Sequence, residues 1–258
     1  MITTFEAFGY ELPKKTCFEL IRQAGFDGVL LWWSDNFGDS NFRQNPKLAR
    51  DAGLFVENIH TPFEKINNLW RDNLDGDALL THFLEIVDEC ANYQVPTMVM
   101  HLSKGDNPPP FNALGLNRIK RIVERAERSD VNLALENLRQ VRYLDYVMSR
   151  IDSPRVGFCY DSGHHNCRCQ DVDLLAQYGN RLMSLHLHDN DGTGDHHLLP
   201  FDGTINWPQT MSNIAKAGFN GPIAMEAFNI GHERLPPDEF LQLLYTRAVK
   251  LKDLMKII

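Results

Sequence analysis

VGFCYD, residues 156–161, is a short apolar run that ends on a carboxylate. An acid at the end of a buried strand is costly unless it is paired or coordinated. Five other runs close in the same way: LFVENIH at His60, TMVMH at His101, VNLALE at Glu136, RLMSLHLH at His188 and GPIAME at Glu226. Each is bounded by a helical stretch, the pattern of strands buried on both faces of a parallel sheet. Six strands delivering one metal-type side chain apiece at the same end predict a metal centre in the mouth of a barrel.

Working outward from these runs, the chain alternates strand and helix eight times. The predicted strands are 3–8, 27–33, 54–60, 97–102, 131–138, 156–161, 181–189 and 221–228. Between them lie amphipathic segments such as LNRIKRIVERAERS, with apolar residues recurring at three and four. Ala24-Gly25-Phe26, Ala52-Gly53-Leu54 and Ala217-Gly218-Phe219 read as helix stops, because glycine takes the left-handed turn that ends a helix. Eight such units match the size of a (β/α)₈ TIM barrel, about 250 residues. No linker or low-complexity tract divides the chain, so 1–258 is expected to be one α/β domain.

A period of two then assigns faces. Ala134 and Asn132 stand behind Glu136, Cys159 and Gly157 behind Asp161, Val99 behind His101 and Ala224 behind Glu226. These small residues should face the lumen. Leu133, Leu135, Phe158, Tyr160, Met100, Ile223 and Met225 should face the helices.

The net charge of −8, from 26 Lys+Arg against 34 Asp+Glu, argues against a partner with a phosphate backbone. Five cysteines form no CxxC pair, and the beginning MITTFEAFGYELPKK has no signal-peptide pattern. No apolar stretch approaches a membrane span, about 18 residues. A cytoplasmic protein with reduced thiols is expected. GxGxxG, P-loop, HExxH and GxSxG motifs are absent.

Barrel enzymes place their chemistry at the carboxyl ends of the strands. His60, His101, Glu136, Asp161, His188 and Glu226 would thus point into one cup. The loops DSGH and DGTGDHH add His164, Asp195 and His197, making nine candidate ligands. Mixed imidazole and carboxylate donors suit Zn²⁺, Mn²⁺ or Co²⁺ better than Ca²⁺. His186 faces the same way as His188 one layer deeper and reads as a supporting residue. His165, His196 and His232 read as peripheral, and His82 as structural. Trp32, Trp33, Phe63 and Trp207 flank the ligand motifs and are candidates to pack against a bound substrate. Arg139, just beyond ENL, is a candidate contact for a phosphate or carboxylate.

HTPF (60–63), ENL (136–138), DSGH (161–164), HLHDNDGTGDHH (186–197), INW (205–207) and GPIAMEAF (221–228) resemble the xylose-isomerase-like barrel superfamily. That group holds sugar phosphate isomerases and epimerases, ketose 3-epimerases and AP endonuclease IV enzymes. Similarity to the ketose epimerases implies one divalent ion, Mn, Co, Mg or Zn, on Glu136, Asp161, His188 and Glu226. The two glutamates would then abstract and return a proton through an enediolate. The arginine those epimerases carry six positions beyond the metal histidine is replaced by Gly194. Similarity to endonuclease IV implies up to three zinc ions. His60 and His101 would hold the first, with Glu136 bridging to a second on Asp161, His188 and Glu226. His164, Asp195 and His197 would hold the third. A related metal-dependent dehydratase is a further alternative. Phe201 stands where relatives often have glycine, which would narrow the pocket. A small sugar is the expected partner, assembly into a homo-oligomer is compatible with the chain, and neither nucleic acid nor membrane is expected.

Overall fold

Eight parallel strands and the helices between them define the architecture of the computed structural model, which describes residues 1–35 and 40–257. The strands are β1 (Ile2–Phe5), β2 (Gly28–Trp32), β3 (Phe55–His60), β4 (Thr97–Met100), β5 (Asn132–Glu136), β6 (Val156–Asp161), β7 (Leu182–His186) and β8 (Ile223–Met225). The helices are α1 (Lys14–Gln23), α2 (Asn45–Asp51), α3 (Leu74–Asn92), α4 (Ala113–Arg128), α5 (Val141–Met148), α6 (Ser162–Arg168), α7 (Leu174–Tyr178), α8 (Trp207–Lys216) and α9 (Pro237–Leu254). From β1 to β7 each strand pairs with the next in sequence, and β1 also pairs with β8. Leu187 closes the ring: its N–H donates to the Ala224 carbonyl at 2.9 Å, and its own carbonyl accepts from Glu226 N at 3.0 Å. The chain folds as a (β/α)₈ TIM barrel, and all eight expected strands are present.

Local chemistry starts and stops the helices. The Asn73 and Asn112 side chains accept from Gly76 N and Gly115 N, capping α3 and α4. Gly25, Gly53 and Gly218 adopt φ of +105°, +82° and +78°, so the three AG stops act as expected. On α4, Leu116, Ile119, Ile122, Val123 and Ala126 are buried, a stripe at three and four that packs on the sheet. No helix among the described residues is long and apolar enough to cross a membrane.

The expected division of faces holds for most positions, but Ala224, expected in the lumen, joins the large core. Leu133, Leu135, Phe158, Tyr160 and Met100 belong to the large core between strands and helices. Val99, Ala134 and Cys159 form a separate small cluster, with Met183 packed against it. Trp33 corrects one expectation. It lies on the outer face, buried against Phe42 and Tyr93, and its indole donates to Glu89. It does not reach the mouth, because Trp32 pairs in register with His60 and its neighbour must therefore point the other way.

Two bulges set the lumen. The β2–β3 register steps from Val29↔Val56 to Leu30↔Asn58, leaving Glu57 as the extra residue. The β6–β7 register steps from Phe158↔Leu182 to Cys159↔Ser184, leaving Met183. Glu57 then accepts hydrogen bonds from Thr3 and from Ser184 Oγ at 3.4 Å, bridging β1, β3 and β7 across the barrel. Burial pushes its carboxyl up to about 7, against the lowering by Thr3 and His186. An acid whose folded pKa is raised contributes stability below its unfolded value of 4.5 that is lost as pH rises through about 7. Glu57→Gln should therefore stabilise the fold at pH 8, by on the order of 2 kcal/mol, with the gain vanishing towards pH 4. Urea denaturation of both proteins at the two pH values checks it; an equal difference at both would refute the assignment.

Candidate metal centre

The mouth is assembled by backbone fasteners that lie inside the recognisable motifs. Asn137 of ENL donates to the Asp161 carbonyl at 2.9 Å and accepts from Asp161 N at 2.8 Å, tying the end of β6 to β5. Asp161 Oδ1 then accepts from His164 N at 2.6 Å, capping α6 and fixing His164 one turn into the site. Gly163 sits where a Cβ would lie 1.9 Å from His188 Cε1, so the glycine of DSGH makes room for the imidazole. Ser162 Oγ donates to the His188 carbonyl at 2.7 Å and holds the same strand end.

Asp189 fastens the long loop that follows. Its carboxylate accepts from Phe201 N at 2.9 Å, Ile205 N at 3.2 Å and the Trp207 indole at 2.7 Å. Trp207 is thus a buried loop anchor away from the mouth, contrary to the substrate-packing expectation. Phe201 takes a left-handed φ of +78° but packs outward against Trp207 and beneath Lys250. It does not narrow the pocket.

All nine expected ligands converge, and a tenth joins them. Glu136 is the hub: its carboxylate lies 3.2 Å from His60 Nε2 and His101 Nε2, and 3.0 Å from His164 Nδ1. His188 Nε2 stands 3.2 Å from Asp161, and Asp195 Oδ2 stands 3.1 Å from His164 Nε2 and 3.5 Å from His197 Nε2. His186 is the addition. Its Nδ1 lies 3.4 Å from Glu136 and 3.1 Å from Glu226, so it sits among the ligands rather than behind them. Its i, i+2 relation to His188 was the sequence signal for this placement.

Donor geometry shows that these residues fit a cation. His60 Nδ1 faces the Thr61 carbonyl at 2.9 Å and His197 Nδ1 the Glu226 carbonyl at 2.8 Å. Those bonds place the N–H on Nδ1 and leave the Nε2 lone pair facing a carboxylate, two acceptors that need a positive charge between them. Several close contacts are not aligned as hydrogen bonds: His164 Nδ1, His188 Nδ1 and both nitrogens of His186 are buried without a partner among the described residues. Donors around a tetrahedral ion at ~2.1 Å lie about 3.4 Å apart, the spacing seen here. His60, His101 and Glu136 form one compact triad, and His188, His197 and Glu226 another.

Without a metal, protons supply the positive charge. Burial would raise Glu136, but His101 and His186 outweigh it and hold the carboxyl well below the usual range. Glu226 is brought down to about 2, burial again being overcome by His186 and His197. Burial alone would lower His197, yet the Asp195 hydrogen bond and the Glu226 charge lift it to about 9. His164 and His186 are likewise raised, their carboxylate and thiol neighbours overcoming burial. His101 goes the other way: burial dominates and lowers it. A raised histidine contributes stability below its unfolded pKa of 6.5, lost as pH rises through about 9 for His197. Metal uptake at pH 7.5 should therefore expel protons from His164, His186 and His197. Calorimetric titration of the stripped protein in buffers of different ionisation enthalpy measures the number; zero released protons would contradict the protonated cluster.

A cavity of about 330 Å³ opens over the centre, walled by Trp32, Phe63 and Phe228. The aromatic rings also brace the ligands. Trp32 stacks on His60 at 5.0 Å, Phe63 on His101 at 4.3 Å, and His197 is layered between His188 and Phe228 at 3.9 and 4.8 Å. Arg139 lies to one side, in an adjoining cavity of about 210 Å³. A separate hollow of about 740 Å³ follows β1, but the buried carboxylate on its wall, Glu6, is engaged by Lys14, Asn45 and Trp32 N. His165, His196, His232 and His82 pair with Tyr160, Asp191, Asp202 and Glu85, outside the cluster, and the five cysteines are free thiols.

Comparison with known proteins identifies the family. A curated protein of Sinorhizobium fredii, the uncharacterized protein y4fM, is 24% identical over 92% of this chain and 88% of its own. Fructoselysine 3-epimerase of Escherichia coli O157:H7 is 22% identical, covering 83% of this chain and 86% of its own. Among solved structures, a D-tagatose 3-epimerase-like protein superposes with a TM-score of 0.78 at 18% identity, over 100% of this chain and 98% of that one. The IOLI protein with a bound zinc atom gives a TM-score of 0.78 at 17% identity, over 97% and 98%. At these identities the structural likeness speaks for the fold. The family model described as the xylose isomerase-like TIM barrel matches residues 18–246, and the chain belongs to that family.

Proposed function

We propose that this chain is a divalent-metal-dependent isomerase or epimerase of a sugar or sugar derivative, moving a carbon-bound proton with Glu136 and Glu226. The observation that carries this reading is the convergence of the two carboxylates, from the ends of β5 and β8, beneath an aromatic-walled cavity. One glutamate removes the proton from the carbon beside a carbonyl and the other returns it. Trp32 and Phe63 pack against the C–H faces of the open-chain sugar and keep water from the exposed carbanion. A divalent cation held by Glu136, Asp161 and Glu226, with imidazoles from β7, would polarise neighbouring sugar oxygens and stabilise charge developing on them. Kinship with fructoselysine 3-epimerase supports the reaction class.

The test is solvent exchange. Metal-loaded protein in D₂O, offered a panel of ketoses, ketose phosphates and sugar acids, should place deuterium at the carbon beside the carbonyl, followed by NMR. A second reading, an endonuclease-IV-like phosphodiesterase, is favoured by one observation: Asp195 links His164 to His197, extending the donor cluster past the two triads. Two or three tightly held zinc ions, cleavage of a phosphodiester and no exchange with any sugar would replace the first reading with the second.

A further inference from the structure

The adjoining cavity of about 210 Å³ shares Phe63, His101, His164 and Asp195 with the metal cavity, so the two lie side by side across those four residues. Its volume is below the ~300–1,000 Å³ of pockets that take a whole ligand, and suits a substituent. Lys104, Arg139 and Arg168 line it, a concentration of cations in a chain whose net charge is −8. The one carboxylate in the lining, Asp195, is compensated by His164 and His197.

Each cation is placed by a different element. Lys104, in the loop after β4, holds Nζ over the Phe63 ring, 5.1 Å from its centroid. Arg139, after β5, gives one guanidinium nitrogen to the exposed Asp106 at 2.8 Å and keeps the rest of its fork. Arg168 ends α6, one turn beyond His164. An arginine serving only the helix terminus would leave its guanidinium in water; here Nε is buried with no hydrogen-bond partner among the described residues. A buried N–H donor costs free energy unless something accepts from it. Ser103 adds a hydroxyl to the same wall.

We infer that Lys104, Arg139 and Arg168 bind an oxyanion substituent of the substrate, so that the sugar carries a phosphate or a carboxylate at the end remote from the reacting carbons. This rests on the isomerase reading for the word sugar, but the anion site stands on its own geometry. Arginine forks match phosphate and carboxylate oxygens, and charge-assisted bonds of this kind are the strong ones.

The experiment uses the metal-loaded protein and three small probes: glycerol 3-phosphate, glycerate and glycerol, titrated by calorimetry. One anionic probe should bind at least tenfold tighter than glycerol, and whichever wins identifies phosphate or carboxylate as the natural group. Arg168→Gln should remove about tenfold of that margin with the bound metal content unchanged. Lys104→Gln, on an exposed loop, provides a second reading of the same wall if Arg168→Gln fails to fold. Equal affinity for all three probes, or a margin untouched by either variant, overturns the anion site. Deuterium exchange with a phosphorylated or carboxylated sugar at rates indifferent to both variants would do the same while sparing the isomerase reading. Preferential anion binding that the variants abolish, with no exchange on any sugar, would sink the isomerase reading and leave the site.

Discussion

Glu136→Gln is expected to lower turnover by about a thousandfold or more, within the range that a positioned acid or base contributes. Four imidazoles, His60, His101, His164 and His186, lie between 3.0 and 3.4 Å from this one carboxylate. An amide cannot supply the charge they face, so metal content should fall together with activity. Among the described residues one imidazole, His186 at 3.1 Å, stands as close to the Glu226 carboxylate, with His188 and His197 farther off in the triad they form with it. Glu226→Gln should therefore keep more metal while losing comparable turnover, which separates proton transfer from ion binding. The fold should survive both changes, because the main core lies on the opposite face of the strands. Elemental analysis, circular dichroism and deuterium exchange measured on the same preparations decide the matter. Full turnover of either variant with its metal intact would remove that glutamate from the mechanism.

Gly163→Ala is expected to be nearly as damaging, although it adds only one methyl group. The new Cβ would stand 1.9 Å from Cε1 and 2.5 Å from Nδ1 of His188, a fully buried ring stacked at 3.9 Å on His197. Neither partner can retreat. The backbone of Gly163 is held by the Asn190 side chain, which donates to its carbonyl at 2.9 Å, and by the Asp161 cap. Overpacking of this kind costs about 1–3 kcal/mol, and a displaced imidazole should weaken metal binding by about 10- to 100-fold. A chelator-competition titration and thermal unfolding measure the two effects. Unchanged metal affinity would mean that His188 is dispensable to the centre.

Much of this was legible in the chain because a parallel barrel writes its strands as short apolar runs and its site as their last residues. Asp161, Glu136 and Glu226 stand out as charges that no apolar strand tolerates for packing reasons. The parity of the mouth was legible too, and its misreadings are instructive. Trp32 and Trp33 are adjacent, so only one can face the lumen, and the register with His60 selects Trp32. His186 and His188 are two apart, so both do. Contacts made by chain segments distant in sequence leave no local pattern. The bond from Trp207 to Asp189 spans a loop and cannot be read from either residue's neighbours. The bulge at Glu57 puts an extra acid into the lumen without any signature turn residue. Arg168 in sequence is an ordinary helix-ending cation; only its buried, unbonded Nε beside the mouth distinguishes it.

α6 carries His164 and Arg168 four residues apart on a backbone whose first turn Asp161 fixes. Four residues of helix rise about 6 Å. On the proposed reading the helix is a ruler laid between the metal centre and the anion pocket, with its zero mark pinned at β6. Selection of substrates by length is then a property of rigid main chain, and side-chain exchange in the pocket would alter which group is held without altering how far away it is held.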